Sequence, residues 1–138
     1  GSGEVPETMT SLVNDASIEF SGAVADVRSW YNKASVALVP LLSGSGTRLK
    51  ILEAMSLGLP VVSTSKGAEG IEYTERKNIL IADKKNDFAN IVIDLLKTKK
   101  ERNRIQLYAR KLVEEKYDWD VVGKSLSAFI QSIAKKIN

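Results

Sequence analysis

The segment from Val36 to Thr64 constrains the fold of this chain more than any other. It opens with a continuous aliphatic run from Val36 to Pro40, continues through the small-residue loop Ser43 to Thr47, and closes with a second apolar run from Val61 to Thr64. Uninterrupted runs of this kind are typical of strands buried on both faces of a parallel sheet. The segment therefore predicts two parallel strands with a glycine-rich loop after the first.

A short helix is predicted between the two strands. Thr47 can serve as N-cap for a helix from Arg48 to about Leu57, and Gly58 stands where helices often end in the left-handed conformation. Strand, loop, helix and strand form one βαβ unit with a right-handed crossover. This topology places the loop and the start of the helix at the carboxyl edge of the sheet.

Apolar patterns predict further elements on both sides of this unit. Ile18 to Gly22 and Ile79 to Ala82 are predicted strands, Asp26 is a predicted cap for a helix that runs to Lys33, and Asp83 is a predicted cap for the next helix. Helical spacing occurs in four sets: Val27, Trp30 and Tyr31; Phe88, Ile91, Val92, Leu95 and Leu96; Ile105, Tyr108, Leu112 and Val113; Val122, Leu126, Phe129, Ile130 and Ile133. We predict an α/β fold, a Rossmann-like parallel sheet with flanking helices and C-terminal helices, in a single domain over residues 1–138.

Composition removes several classes of function. The chain of 138 residues has no Cys and no His, which excludes disulfides, thiolate chemistry and a self-contained hydrolase triad with an imidazole base. The longest apolar stretch runs only from Val36 to Leu42, too short for a transmembrane helix. We expect a cytoplasmic protein, with peripheral contact at the inner face of the membrane as an open alternative.

Positive charge is concentrated between Lys97 and Lys116. This run holds eight Lys or Arg residues against three Glu, although the net charge of the chain is only +3. It is either a solvated helix face or a contact for an anionic membrane surface or partner. Aromatic residues are not interleaved with it as a base-stacking surface requires, so we expect no nucleic acid.

The loops after the two predicted strands, 41–47 and 65–70, are candidate ligand sites. In open α/β sheets ligands bind beyond the carboxyl ends of the strands, and both loops are rich in small residues whose main chain a ligand can approach. Arg48 and Lys50 add positive charge at a helix N-terminus, which itself favours phosphate. A purely structural loop is the alternative, because the segment is neither a Walker A loop nor a GxGxxG motif.

Two carboxylates allow alternative interpretations. Glu53 lies inside the predicted helix among apolar neighbours, where it either faces water or accepts hydrogen bonds from a pair of hydroxyls such as those of a ribose. Glu69, in the second loop, is ambiguous in the same way.

One long string joins these features, PLLSGSGTRLKILEAMSLGLPVVSTSKGAEGI. It resembles the donor-binding signature of retaining GT-B glycosyltransferases of group 1, which include bacterial capsule, lipopolysaccharide and exopolysaccharide transferases. The likeness extends upstream through SIEFSGAVADVRSWYNKASVALVP and downstream through NILIADKKNDFANIVIDLL. It implies the C-terminal half of a two-domain enzyme that transfers a hexose-type sugar, with retention, from a nucleotide-diphosphate sugar to a glycan or lipid-linked acceptor in polysaccharide biosynthesis.

The resemblance also implies roles for residues. Glu53 would bind the ribose hydroxyls, the backbone at Gly46 and Thr47 would meet the diphosphate or sugar, and loop 65–70 would close over the donor. The expected donor-binding set is Gly44, Ser45, Gly46, Thr47, Arg48, Lys50, Glu53, Gly67 and Glu69. No catalytic residue, metal or cofactor is expected in this chain, since helix dipole and basic groups would stabilise the departing diphosphate.

The chain departs from the family pattern in its first loop. The family motif has a Glu eight positions before the second Glu, which falls on Ser45, or on Gly44 when counted forward from Pro40. We expect the acceptor-binding N-terminal half of the same protein to be required, so that the 138 residues alone transfer no sugar. A non-catalytic nucleotide- or phosphate-binding module is the alternative function.

Overall fold

Three parallel strands form the sheet of this protein. The computed structural model describes residues 9, 12, 14–44, 46 and 48–137. Strands β1 (Ala37–Val39), β2 (Val61–Ser63) and β3 (Leu80–Ile81) lie in the order β1-β2-β3. These positions confirm the three predicted strands, although each strand is shorter than its run. The burial of β1 on both faces was predicted wrongly, since the side chain of Leu38 is 50% exposed.

Strand β2 is the centre of the sheet. It pairs with β1 in the register Ala37 opposite Val61 and Val39 opposite Ser63, and it pairs on its other side with β3, with Ser63 opposite Ile81. All three residues of β2 are buried. A strand with neighbours on both edges and cover on both faces has to be apolar along most of its length, which accounts for the run that begins at Val61.

Five helices accompany the sheet in the described part of the chain from residue 28 onwards. They are α1 (Arg28–Lys33), α2 (Leu49–Ser56), α3 (Lys85–Lys97), α4 (Lys99–Lys116) and α5 (Trp119–Ile137). Helix α2 connects β1 to β2, so the βαβ unit is confirmed. With three consecutive helices after β3, the predicted α/β class with C-terminal helices is confirmed as well.

The core consists of two clusters. The larger combines Val39 and Val61 of the sheet with Ile51 and Met55 of α2 and with Ala109 and Leu112 of α4. The smaller joins Val62, Leu80, Leu95 and Ile105. Successive strand residues point to opposite faces, so Val61 and Val62 belong to different clusters. Helix α4 contributes to both clusters and thereby ties them together.

The turn after α2 confirms the predicted left-handed glycine. Gly58 has φ +71° and its N–H donates to the carbonyl of Met55 at 3.0 Å. A Cβ added there would lie 3.0 Å from Nε2 of Gln106 on α4. The left-handed backbone conformation favours glycine at this position, and the flexible side chain of Gln106 would have to shift slightly to admit a Cβ.

The predictions of one strand and of three helix caps were wrong. Ile18 to Gly22 is not a strand, because it has no hydrogen-bonded neighbour strand among the described residues and its side chains remain mostly exposed. Asp83 does not cap α3, whose N-cap residue is Lys84, because its carboxylate is taken up by Ser65. Asp26 accepts the backbone N–H of Arg28 at 2.9 Å, but the N-cap residue of α1 is Val27. The N-cap residue of α2 is Arg48, where Thr47 was predicted.

The last helix is amphipathic, but its apolar face is not part of the core. The side chains of Leu126, Phe129 and Ile130 are all more than half exposed, and Trp119 is 87% exposed. Leu96 of α3 is also exposed, in contrast to its predicted inward position. Within the part of the chain that the structure describes, no helix combines the length and apolar character needed to cross a bilayer.

Burial decides which apolar residues of these helices stabilise the fold. We predict that Ile51→Val, which removes one methylene from a fully buried side chain of α2, costs about 0.5–1.5 kcal/mol. Leu107→Ala is the control, since it removes more carbon from a side chain that is 67% exposed on α4 and should change stability by less than about 0.5 kcal/mol. Urea unfolding measures both. A larger loss for Leu107→Ala than for Ile51→Val would contradict this core assignment.

Candidate functional site

The two loops predicted to bind a ligand meet at the carboxyl edge of the sheet. One follows β1 and the other follows β2, and the hydroxyl of Thr64 connects them. This hydroxyl donates to the carbonyl of Leu41 in the first loop and accepts the backbone N–H of Gly67 in the second at 2.9 Å. Thr64 itself is buried, whereas the hydrogen bond to Leu41 that joins the two loops is only partly buried.

Gly67 allows the second loop to approach the strands. A Cβ at this position would lie 2.4 Å from Oγ of Ser63 and 2.7 Å from the carbonyl oxygen of Val39. Distances this short cannot be accommodated without moving the main chain. Gly67 therefore has a packing role, whatever it contacts in a complex.

The first loop contains glycines in conformations that other residues avoid. Gly44 has φ +117° and Gly46 has φ +105°, and a Cβ at either position would meet open space. The main chain is thus accessible from outside at both glycines. Ser45 and Thr47, which complete the predicted set in this loop, lie outside the described residues.

A cluster of charged side chains joins the two loops. Nη2 of Arg48 lies 3.1 Å from Oε2 of Glu69, and Nζ of Lys66 lies 2.5 Å from the same oxygen. The ammonium of Lys66 and, more weakly, the guanidinium of Arg48 lower the pKa of the Glu69 carboxyl. Arg48 stands directly before α2, so the cluster lies at the N-terminal end of that helix.

Lys50 and Glu53 lie elsewhere, in a pocket of about 440 Å³ beside α2. The opposite wall of the pocket is formed by 21–24 and by Val27, Trp30 and Tyr31. Burial raises the pKa of the Tyr31 hydroxyl, and the nearby Glu53 carboxylate adds to this shift. The pocket therefore combines apolar and aromatic walls with one carboxylate and one ammonium.

The structure thus divides the predicted residues into two groups on either side of the first turn of α2. Arg48 and Glu69 belong, with Lys66, to the charged cluster between the two loops, which we call the loop cluster, and Gly67 lies in the second of these loops. Lys50 and Glu53 belong to the pocket. Sequence reasoning placed Lys50 with the phosphate-binding charges. Its position two residues after Arg48 turns it about 200° around the helix axis, which explains why the two cations face different regions.

Several residues at the site were missed by sequence reasoning. Lys66 was not among the predicted residues, although it lies in the predicted loop, and the aromatic wall of Trp30 and Tyr31 was interpreted only as a helical apolar face. The helical spacing of these residues carried no signal for this role: α1 places no residue in the buried core, although Tyr31 packs against the larger core cluster, and only the structure shows this.

A further contact connects the loops after β2 and β3. The carboxylate of Asp83 accepts the backbone N–H and the hydroxyl of Ser65, each at 2.7 Å. These hydrogen bonds lower the pKa of the Asp83 carboxyl. The second candidate loop is therefore attached at Ser65 to Asp83, just after β3, and through Thr64 to Leu41, just after β1.

Most of the basic run on α4 is engaged within the protein. Arg104 pairs with Glu101 at 2.5 Å, Lys111 lies 3.6 Å from Glu115, and Lys116 contacts Glu72. Arg110 pairs with Glu114, and the guanidinium of Arg102 donates to the carbonyls of Leu95 and Leu96. These contacts favour the solvated-face interpretation, and the membrane contact stays a prediction.

Comparison with known proteins identifies the family. Residues 1–98 match the family model described as glycosyl transferases group 1. A protein from Klebsiella pneumoniae, the uncharacterized 44.6 kDa protein in cps region, is 31% identical over 73% of this chain and 26% of its own length. A GDP-mannose-dependent monoacylated alpha-(1-6)-phosphatidylinositol monomannoside mannosyltransferase from Corynebacterium glutamicum is 24% identical over 96% of this chain and 38% of its own length.

A solved structure supports the same assignment. The C-terminal domain of a glycosyl transferase group 1 family protein (LpcC) from Francisella tularensis superposes with a TM-score of 0.70 at 26% identity. The match covers 81% of this chain and 60% of that domain. This chain thus spans only part of the length of the proteins that it resembles.

The close packing at Gly67 can be tested by adding one methyl group. We predict that Gly67→Ala lowers the free energy of unfolding by about 1–3 kcal/mol, because the new Cβ overlaps Ser63 and Val39. Gly123→Ala is the matched control, since Gly123 lies within α5 with open space around it, and alanine should stabilise the helix by about 0.5–1 kcal/mol. Thermal and urea unfolding of both variants check the opposite signs. A neutral Gly67→Ala would show that the loops are not held at this distance.

The hydrogen bonds of Asp83 predict a dependence of stability on pH. A carboxyl whose pKa is lowered in the folded protein stabilises it above the ordinary pKa of about 4, and this contribution is lost as the pH falls through the lowered value. We therefore expect wild type to be more stable than Asp83→Asn at pH 7 and the difference to shrink at pH 3. Urea unfolding at both values measures it, and a difference that grows in acid would contradict the assignment.

Proposed function

Because this chain belongs to the group 1 glycosyl transferases, we propose that it is the domain that binds the nucleotide-diphosphate sugar in a two-domain hexosyltransferase. The observation that carries the proposal is the position of Glu53 and Arg48 on opposite sides of the first turn of α2. Glu53 faces a pocket of nucleoside size, and Arg48 belongs to the charged cluster between the loops.

The pocket has the chemistry that a nucleoside requires. Trp30 and Val27 offer apolar surface to a base, while the carboxylate of Glu53 has two oxygens that can each accept a ribose hydroxyl. Such hydrogen bonds to an ionised acceptor are stronger than neutral ones. The wall at 21–24 adds main-chain groups that a base edge can bind.

The loop cluster supplies the positive charge for a diphosphate. Arg48 and Lys66 are cations, and the helix α2 adds the partial positive charge of its N-terminus. Glu53 lies five residues after Arg48, about 7.5 Å along the helix axis at about 1.5 Å per residue. This separation suits a ribose joined to a diphosphate, with its hydroxyls at Glu53 and its phosphates at Arg48.

In the proposed reaction the bond between the anomeric carbon and the diphosphate oxygen breaks, and the anomeric carbon bonds to an acceptor hydroxyl oxygen with retention of configuration. The hydroxyl proton leaves with a base from the acceptor side, and the cations at Arg48 and Lys66 stabilise the charge on the departing diphosphate. The acceptor-binding half would come from the rest of the protein, since this chain spans about a quarter to two fifths of its relatives. The 138 residues alone would transfer no sugar.

The test of the proposal is nucleoside diphosphate binding by Glu53→Gln in the full-length protein. UDP, GDP, TDP and ADP form the panel, GDP being the nucleotide in the donor of the Corynebacterium relative. We expect the preferred diphosphate to bind at least about tenfold more weakly to Glu53→Gln, because loss of a charge-assisted hydrogen bond costs about 1.5 kcal/mol or more. Calorimetric titration measures the change.

The matched control is Glu114→Gln, on the exposed surface of α4 and outside the pocket. It should bind the diphosphate as wild type does. Equal affinity of wild type and Glu53→Gln, with both folded, would remove the ribose assignment. Binding without sugar transfer to any acceptor in the full-length protein would favour the alternative of a non-catalytic nucleotide-binding module.

A further inference from the structure

The guanidinium of Arg48 is buried with few hydrogen bonds. Its side chain is only 8% exposed, and its Nε is buried without a hydrogen-bond partner among the described residues. A guanidinium has five N–H donors, and leaving a buried donor unpaired is costly. Arg48 therefore has N–H groups left to donate to an anion with more acceptor oxygens than its present contact provides.

The present partner of Arg48 provides one oxygen. Oε2 of Glu69 contacts Nη2 of Arg48 at 3.1 Å and is shared with Nζ of Lys66 at 2.5 Å. The strong geometry for a guanidinium is bidentate, with two oxygens on two N–H groups, and Glu69 does not provide it. Glu69 is thus shared by both cations, and its contact with Arg48 is longer and weaker than its contact with Lys66.

The two sides of this contact differ in freedom to move. The Glu69 side chain is 58% exposed and lies on the second loop, whereas Arg48 is enclosed at the start of α2. Displacing Glu69 moves an exposed carboxylate into water, and its contact with Lys66, both side chains being more than 40% exposed, is an ion pair of the kind that contributes little. Displacing Arg48 would require opening a packed region.

We propose that Glu69 occupies the place on Arg48 that a diphosphate oxygen takes in the donor complex, so that Glu69 competes with the donor and sets its affinity. This inference rests on the proposed function. The first turn of α2 has no acidic residue, and no side chain of its N-cap residue caps the helix, so an anion that reaches Arg48 also reaches free helix N–H groups. When the diphosphate binds, the carboxylate of Glu69 either retains its ion pair with Lys66 or turns to solvent.

The consequence is that removing the Glu69 charge tightens binding. The probe is the diphosphate of the panel UDP, GDP, TDP and ADP that wild type prefers. In the full-length protein we expect Glu69→Gln to bind it about two- to fivefold more tightly and to bind the matching nucleoside with unchanged affinity. Glu72→Gln is the matched control, since Glu72 lies three residues further along and contacts Lys116 instead. It should leave both affinities unchanged.

A double-mutant cycle separates competition at Arg48 from a general effect of charge. In the Arg48→Gln background the gain from Glu69→Gln should largely disappear, because the guanidinium for which both anions compete is absent. Calorimetry measures the four affinities, and circular dichroism and thermal unfolding confirm that each variant is folded.

Each outcome decides something different. If wild type binds neither nucleoside diphosphate nor nucleotide sugar, the proposed function fails and this inference fails with it. If wild type binds but Glu69→Gln binds equally or more weakly, Glu69 is no competitor, and the inference is overturned while the proposed function stands. An equal gain for the nucleoside, or a gain that persists in Arg48→Gln, also overturns it.

Discussion

The candidate site depends on a pair of buried hydroxyls at the carboxyl end of the central strand. Thr64 connects the loop after β1 to the loop after β2, and Ser63 lies 3.2 Å from the carbonyl of Val39 and 2.9 Å from the carbonyl of Thr64. Polar groups are buried at a net gain only when they are hydrogen-bonded, so these contacts allow few alternative arrangements. The same packing brings the second loop so close to the strands that no Cβ fits at Gly67.

Helix α2 determines which charged side chain faces the loops and which faces the pocket. Its inner face, with Ile51 and Met55, is buried in the larger core cluster, and this packing sets the rotation of the helix about its axis. Glu53 then points to the pocket and Arg48 to the loops without any further constraint. Two groups on one rigid element keep a constant separation, which suits a ligand with two distinct ends.

The described structure also leaves apolar surface without cover. The apolar face of α5, including Phe129 and Ile130, is exposed, and α4 is the element that α5 mainly contacts. β1 has a hydrogen-bonded neighbour strand only on the side of β2 among the described residues. These features accompany a chain that spans 60% of the structurally matched domain.

The sequence by itself determined the three strands of the sheet, the βαβ order, the left-handed Gly58 and the family, because each is encoded in local residue pattern: continuous apolar runs, turn residues and a contiguous motif. It also brought Arg48, Glu53 and Glu69 forward as candidates. Only the tertiary structure decided that Lys50 joins Glu53 in the pocket, that Lys66 joins Arg48 and Glu69, that Asp83 holds Ser65 rather than capping a helix, and that the face of α5 is exposed. The physical reason is that partners distant in the chain, such as Ser65 and Asp83, meet only once packing has set the direction of each side chain, and helical periodicity shows that a face is apolar without showing what covers it.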